Sequence, residues 1–388
     1  MIRTLATCLA GCALAHAALP AHAIDEAHYR KAQEMIDGSI AWLRAQQDPA
    51  TGGWALPDDG PVFPAITGLV LTGMLHSQDI DGSDPTVARG IAFILRYQQP
   101  DGSIADRVVP SYNTSICLSA LALVNTPEAA KAIGGAQTYL RGQQWSENST
   151  GGDESGVVDR SHPFYGGIGY GSHGRPDGSN LNFMLQGLHD SGLDCDDEAF
   201  QRAVVFLERM QMDGRFNDMP YAKGSQQGGF IYSTGPDKDH IGEGESKAGT
   251  IEETLSDGTV ASRLRAYGSM TYAGFKSYIY ANLDRDDPRV TAALDWIRNN
   301  YTVDENPGVG DQGRYYYYVT FARALDAWGT STIRTGSGER DWANDLIDKL
   351  AELQQDDGSF RSVSSRWMEG NPVLITAYAL IALQHAID

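Results

Sequence analysis

The chain has 388 residues, 41% of them hydrophobic, and a formal net charge of −20 at pH 7. This length and apolar content are enough for one large core or two ordinary ones, which excludes a disordered or fibrous protein. The negative charge opposes binding to nucleic acid or to an anionic membrane face, so we expect neither as a partner.

The first 23 residues are typical of a secretory signal peptide. They combine Arg3, an apolar stretch rich in alanine and leucine, and the ending Ala21-His22-Ala23. They predict an exported protein, periplasmic or extracellular, whose mature chain starts near Ile24. A second interpretation stays open, because residues 9–12 read LAGC, which resembles a lipobox and would leave a lipid anchor on Cys12. No later segment has the roughly eighteen uninterrupted apolar residues of a membrane span.

A pattern of an amphipathic helix, a glutamine and a glycine-containing turn returns six times along the chain. Apolar residues recur every three or four positions in each helix, as in Ile36, Ile40 and Leu43. The Asp-Gly or Gly-Gly that follows ends the helix. The positions taken as equivalent are Gln47, Gln99, Gln144, Gln211, Tyr301 and Gln355.

A second kind of helix, more apolar and rich in small residues, lies between these copies. The stretches are PAITGLVLTGML, NTSICLSALALV, NLNFMLQGL, MTYAGFKSYIYANL, YYYYVTFARALDAWG and VLITAYALIAL. A helix that is apolar on most faces must be buried, whereas a striped helix covers it. Residues 24–388 are therefore predicted to form one all-α domain, an (α/α)6 toroid with six inner helices, six outer helices and a central cavity. Residues 213–265 exceed an ordinary connection and predict one long irregular insertion.

The repeated W/Y/F-L-x-x-x-Q…G-x-W/F pattern resembles the QW-type repeat of squalene and oxidosqualene cyclases. The alternation of helices is similar to that of protein prenyltransferase β subunits. The resemblance covers roughly Ala27 to Ala386. It implies an α/α toroid that, if it is an enzyme, is like a terpenoid cyclase.

The cyclases carry a D-x-D-D acid just before an inner helix. Residues 194–197 read DCDD and have this form, but they precede an outer helix, so we interpret them as a helix cap. At the cyclase position this chain has Asp177, followed by Ser179 and Asn180 where the family has two further carboxylates. Protonating an alkene needs a strong carboxylic acid, and a hydroxyl or an amide cannot replace it. Asp177 is thus either the N-cap of the third inner helix or a lone acid or base.

The resemblance to prenyltransferases implies a zinc site built from an Asp-x-Cys pair and a later histidine. Asp194-Cys195 lacks the intervening residue, and no set of three or four converging ligands is evident, so we predict no metal and no other cofactor. The two cysteines outside the leader, Cys117 and Cys195, could form one disulfide or stay as thiols.

Residues at the starts of the inner helices are predicted to line the mouth of the cavity. Asp177 is the one catalytic candidate. The binding candidates are Tyr112, Asn113, Tyr170, His173, Ser179, Asn180, Tyr272, Tyr316, Tyr317 and Asn371. Four consecutive tyrosines, 315–318, point all round a helix, so one or two can face the cavity. Further mouth residues are Phe63, Tyr267, Ser269, Arg366 and Trp367.

Three functions are compatible with these residues. Tyrosine-lined walls suit a large apolar, isoprenoid-like ligand that a cyclase-like protein binds or transforms. The missing acid pair and metal ligands favour a non-catalytic binding or scaffold toroid. A polysaccharide lyase-like α/α barrel would use His173, Tyr170 or Asp177 as acid and base. In each case we expect a monomer.

Overall fold

The computed structural model describes residues 24–150 and 156–388. The predicted signal peptide, residues 1–23, and the alternative anchor at Cys12 lie outside these residues. Within them, twelve α-helices alternate between an outer and an inner ring. The outer helices are α1 (Glu26–Ala45), α3 (Pro85–Leu95), α5 (Pro127–Gln143), α7 (Glu198–Met210), α9 (Pro288–Asn299) and α11 (Trp342–Leu353). The inner helices are α2 (Pro64–Leu75), α4 (Pro110–Ala122), α6 (Gly178–Asp190), α8 (Gly268–Tyr280), α10 (Arg314–Trp328) and α12 (Pro372–Ile387).

The inner helices form a closed ring. Each packs against the next inner helix along the chain, and α12 packs against α2 to complete the circle. The inner helices are buried on all sides, and in α2 every residue from Pro64 to Met74 is buried. The outer helices bury one stripe, which in α11 includes Leu346, Ile347 and Leu350. The predicted (α/α)6 toroid is confirmed.

Aspartate begins most of the outer helices. The N-cap residues of α1, α3, α7, α9 and α11 are Asp25, Asp84, Asp197, Asp287 and Asp341. A carboxylate at this place satisfies backbone donors that the helix leaves open, and it interacts favourably with the helix dipole. Asp197 Oδ1 accepts the backbone N–H of Ala199 at 2.9 Å. The DCDD stretch is therefore a cap on the outer ring, as the sequence predicted.

Replacing Asp197 with alanine is expected to lower the free energy of unfolding by about 1 kcal/mol, the usual cost of losing an N-cap. The ion pair of Asp197 with Arg141, at 3.1 Å, adds little because Arg141 is half exposed. Asp196→Ala is the matched control, since Asp196 is exposed and lies one residue before the cap. Urea denaturation compares the two variants, and equal costs would contradict the assignment of the cap to Asp197.

Buried glutamines connect successive outer helices. Gln47 Nε2 donates to the carbonyls of Gly52 and Thr86, both at 2.9 Å, and so joins the end of α1 to α3. The same arrangement joins three further pairs of outer helices. Its donors and acceptors are Gln144 to Gly166 and Ala199, Gln211 to Gly228 and Arg289, and Gln354 to Gly358 and Met35. The last of these reaches α1, so the last outer helix is joined to the first.

Two copies of the repeat are shifted by one residue from the predicted register. Gln354, and not Gln355, makes the bridge to α1, while Gln355 is exposed and bonds to the carbonyl of Leu353. In the second copy Gln98 lies beside Gly135 of α5, and Gln99 is exposed. In both copies the first glutamine of the pair precedes the glycine of the turn, Gly102 or Gly358, by four residues.

The segment 213–265 is more ordered than the irregular insertion that we predicted. Strand β1 (Gln211–Asp213) pairs with β2 (Gln226–Phe230), and β3 (Thr250–Thr254) pairs with β4 (Val260–Leu264), both antiparallel. A third hairpin, β5 (Thr332–Thr335) and β6 (Gly338–Asp341), connects α10 to α11. These strands have three to five residues, which is too short for an alternation of polar and apolar residues to predict them from the sequence.

Two further observations bear on the predictions. None of the helices in the described ranges combines the length and apolarity needed to cross a bilayer. Cys117 is buried in α4, Cys195 lies before α7, and no disulfide joins them in this part of the chain.

Candidate functional site

A cavity of about 250 Å³ opens at the end of the ring where the inner helices begin. All six inner helices contribute residues from their starts, because they run in the same direction and their first turns meet at one rim. Proline in the first turn or an extended cap residue sets several of these starts, as at Pro64, Pro110 and Pro372.

The walls of the cavity are apolar and aromatic. Aliphatic side chains from α2, α4, α8 and α12 form the apolar part, with Leu69, Ile116, Met270 and Leu374 among them. The aromatic part is Phe63, Tyr112, Tyr170, Tyr232, Tyr267, Tyr316, Trp367 and Tyr378. In the described residues, no carboxylate, histidine, lysine or arginine belongs to this lining.

The hydroxyl groups of the lining tyrosines are partly paired with one another and with small polar side chains. Tyr112 Oη lies 3.2 Å from Ser179 Oγ, and Tyr170 Oη lies 3.4 Å from Tyr232 Oη. Asn182 Nδ2 donates to Tyr316 Oη at 3.3 Å. Burial raises the pKa of Tyr112 and Tyr316, so their hydroxyl groups stay protonated at neutral pH. These tyrosines offer neutral hydroxyl groups and π faces to a ligand.

Asp177 is the N-cap of α6 and does not line the cavity. Its Oδ1 accepts the backbone N–H of Asn180 at 2.9 Å, and its Oδ2 accepts the Asn180 side-chain amide at 3.0 Å. The side chain is fully buried, and this burial raises the pKa of Asp177. Both oxygens are thus engaged within the first turn of α6, which is the capping interpretation.

The ring brings together five of the binding candidates: Tyr112, Asn113, Tyr170, Ser179 and Tyr316. The other five do not reach the lining, because each is committed elsewhere. Asn180 bonds to Asp177, and Asn371 caps α12. Tyr317 donates to the carbonyl of Thr302, and Tyr272 packs against the Tyr317 ring. His173 is buried with its ring centroid 5.9 Å from that of Trp145.

Ten lining residues were not among the candidates chosen from the sequence, and they include Tyr232, Met368 and Tyr378. Tyr378 follows Leu374 by four residues on α12, so helical periodicity from the predicted mouth could have found it. Tyr232 comes directly after β2, and Met368 belongs to a short helical turn, Arg366–Met368. No local pattern marks these two, since both reach the cavity from connections rather than from the inner ring.

Glu369 supports the short turn above the mouth. Its Oε1 accepts the backbone N–H groups of Tyr315 at 2.8 Å and Tyr316 at 2.9 Å, at the start of α10. Only 1% of Glu369 is exposed, and burial raises its pKa to about 7. The two preceding residues, Trp367 and Met368, have positive φ angles of 54° and 67°. Such backbone is strained in residues other than glycine, and Glu369 anchors it to the ring.

Comparison with known proteins agrees with this geometry. Residues 59–232 match the model of the squalene-hopene cyclase C-terminal domain. This chain has the α/α-toroid fold of the squalene cyclase and prenyltransferase superfamily. No curated protein sequence matches it.

Solved structures with the same toroid include a terpene cyclase and a glycosidase. A single-residue variant of the type II terpene cyclase MstE from Scytonema, without ligand, is 12% identical with a TM-score of 0.53, covering 94% of this chain and 99% of that chain. A second single-residue variant of MstE, in complex with its substrate geranylgeranyl dihydroxybenzoate, is 12% identical with a TM-score of 0.51, covering 93% and 99%. The α-1,6-mannanase GH76A of Salegentibacter sp. HEL1_6 is 9% identical with a TM-score of 0.54, covering 92% and 98%. Similarity at this level of identity shows the fold alone.

Proposed function

We propose that the toroid binds a large apolar, isoprenoid-like ligand in the cavity at the inner-helix starts. The observation that carries this proposal is the lining itself, which is aliphatic and tyrosine-rich and has no charged side chain among the described residues. Such a surface gains free energy by removing apolar ligand surface from water. The MstE complex with geranylgeranyl dihydroxybenzoate supports it, because a toroid of this fold holds a ligand with a long isoprenoid chain.

The structure gives less support to an enzyme that acts on carbohydrates in this cavity. Glycoside hydrolysis needs a pair of carboxyl groups on either side of the scissile bond, and the described lining holds none. A lyase would need His173, Tyr170 and Asp177 together, but His173 and Asp177 lie outside the lining. Cyclisation started by Asp177 lacks support for the same reason. A scaffold function without a ligand stays the alternative that the binding experiment decides.

The proposal extends to the organisation of the chain. Residues 24–388 would be one exported, monomeric domain, released after a signal peptide over residues 1–23. The four glutamine bridges support an assignment of the repeat to the QW type, since each connects one outer helix to the next.

Filling the cavity is expected to weaken ligand binding. Ala65 belongs to the lining on α2, and Ala65→Phe would place a ring in a space of about 250 Å³. The expected result is a loss of affinity for geranylgeraniol of roughly tenfold or more, about 1.4 kcal/mol. The measurement is a titration followed by tryptophan fluorescence, because Trp367 lines the cavity.

The matched control is Ala130→Phe, the same change at an exposed position of α5. It should bind as the wild type does. Lipid extraction and native mass spectrometry of protein purified from its natural compartment provide a second readout, since a bound apolar molecule should be found in the wild type and be reduced in Ala65→Phe. Equal affinity in both variants would place the ligand elsewhere, and no binding to any protein would favour the scaffold function.

A further inference from the structure

Two basic side chains lie at the edge of the cavity on one aromatic residue of its wall. Tyr232 lines the cavity, and the guanidinium carbon of Arg175 is 5.1 Å from the centroid of its ring. Lys247 Nζ is 4.5 Å from the same centroid. Tyr170, whose hydroxyl is 3.4 Å from that of Tyr232, is 39% exposed, so this edge opens to solvent.

These two cations share one carboxylate. Arg175 Nη1 is 3.0 Å from Glu245 Oε2, and Lys247 Nζ contacts Glu245 Oε1. Among the described residues, no other carboxylate oxygen lies within 4.0 Å of either cation. Asp177 also interacts electrostatically with Arg175, but it is fully buried and both its oxygens are engaged at the start of α6. Two cations that share one partly exposed carboxylate leave one positive charge in excess among these three side chains, in a chain whose net charge is −20.

The surroundings strengthen an attraction for anions. The side chains of Arg175, Lys247 and Glu245 are 19%, 21% and 22% exposed, so they are partly removed from water and yet reachable. Charge interactions are stronger in such a setting than on an open surface. The inner helices direct their N-terminal ends, the positive ends of their dipoles, to the same rim. Arg366, stacked on Trp367 with 4.7 Å to the ring centroid, adds a further cation across the mouth.

We propose that the ligand is an amphiphile with a single anionic headgroup, a carboxylate or a phosphate, held between Arg175 and Lys247 while its apolar chain fills the cavity. This inference rests on the proposed function, because it assumes that the apolar chain of the ligand occupies the cavity. The planar guanidinium of Arg175 suits either anion, and the ammonium of Lys247 adds a second positive charge next to Tyr232. Glu245 competes with the headgroup for both cations and so sets the affinity.

The test uses three probes with the same isoprenoid chain: geranylgeraniol, geranylgeranoic acid and geranylgeranyl monophosphate. The wild type should bind at least one anionic probe roughly tenfold more tightly than the alcohol, since charge-assisted contacts replace neutral ones. The preferred anion identifies the headgroup. The double variant Arg175→Gln with Lys247→Gln should lose this preference and retain its affinity for the alcohol. Glu245→Gln removes the competing carboxylate and should raise the preference, which makes the test independent of the double variant's folding.

The control for total charge is Arg30→Gln with Lys131→Gln, two exposed positions on α1 and α5 that change the net charge equally. It should keep the preference of the wild type. Equal binding of all three probes to the wild type would overturn this inference and leave the proposed function standing. Binding of none would overturn both. Loss of alcohol binding in a folded double variant would show that the two cations shape the cavity and do not select the headgroup.

Discussion

Gln211→Ala is expected to lower the free energy of unfolding by roughly 3 kcal/mol, because it removes three hydrogen bonds from the interior of the protein. Gln211 is fully buried. Its Nε2 donates to the carbonyls of Gly228 at 2.8 Å and Arg289 at 2.9 Å, and its Oε1 accepts the Tyr278 hydroxyl at 3.0 Å. One side chain thus connects the end of α7 to β2, α8 and α9. Urea denaturation followed by circular dichroism measures the loss.

Gln355→Ala is the matched control for this prediction. Its side chain is exposed and bonds to the carbonyl of Leu353, so its removal should change stability by no more than about 0.5 kcal/mol. Gln354→Ala, which removes the bridge to Met35, should cost clearly more than its neighbour. If Gln355→Ala were as damaging as Gln354→Ala, the register of the repeat described above would be wrong.

The alternation of inner and outer helices could be predicted because the two kinds differ in sequence. A helix buried on all sides is apolar throughout, whereas a helix buried along one stripe has apolar residues every three or four positions. The position of the bridging glutamine could not be predicted, since pairs such as Gln98-Gln99 and Gln354-Gln355 offer two registers with the same composition. The glutamine that forms the bridge is the one that reaches the next outer helix, and the position of that helix is not visible in the local sequence. The cap at Asp197 depends only on residues next to it in the chain, so it could be predicted from the sequence.

The cavity was partly predictable for the same reason. Tyr112, Ser179 and Tyr316 lie in the first turns of inner helices, and the direction of those helices brings them together. Tyr317 follows Tyr316 in the sequence but points to the outer layer, where it donates to Thr302. Arg175 and Lys247 meet at Tyr232 from distant connections. Contacts of this kind depend on the closed ring and have no local signal.

A pH titration of stability is expected to reveal Glu369. Its pKa is raised from 4.5 to about 7 in the folded protein, chiefly by burial. Between these two values the folded state keeps a proton that the unfolded state has released, so stability falls as the pH rises through this window and stays low above it. A shift of this size corresponds to roughly 3 kcal/mol. Urea denaturation over a series of pH values measures the slope.

Glu369→Gln should remove this slope, because the amide stays neutral and its oxygen can still accept the N–H groups of Tyr315 and Tyr316. The difference between variant and wild type is expected to be small at pH 4.5 and to grow in favour of the variant up to pH 7. Glu34→Gln, at an exposed position of α1, controls for the loss of a charge. A difference that does not change with pH would contradict a raised pKa at Glu369.

The aspartates that are paired with arginine do not obscure this effect. Arg44 lowers the pKa of Asp84 from 3.8, and Arg289 does the same for Asp287. Their contribution to stability is present above 3.8 and is lost as the pH falls through their lower folded values. The pH range in which these aspartates lose their contribution to stability therefore lies below 3.8, whereas Glu369 acts between 4.5 and about 7.

Closure of both rings changes how the protein can come apart. In an open solenoid the terminal repeats have one neighbour each, so they fray first and the loss spreads inward. Here α12 packs against α2 and Gln354 bonds to Met35, so no repeat has a free side. Detaching any repeat breaks two interfaces at once, which raises the barrier to the first step of unfolding. Slow exchange of the inner-helix amides with solvent deuterium, equally slow in α2 and α12, is the signature of such a barrier.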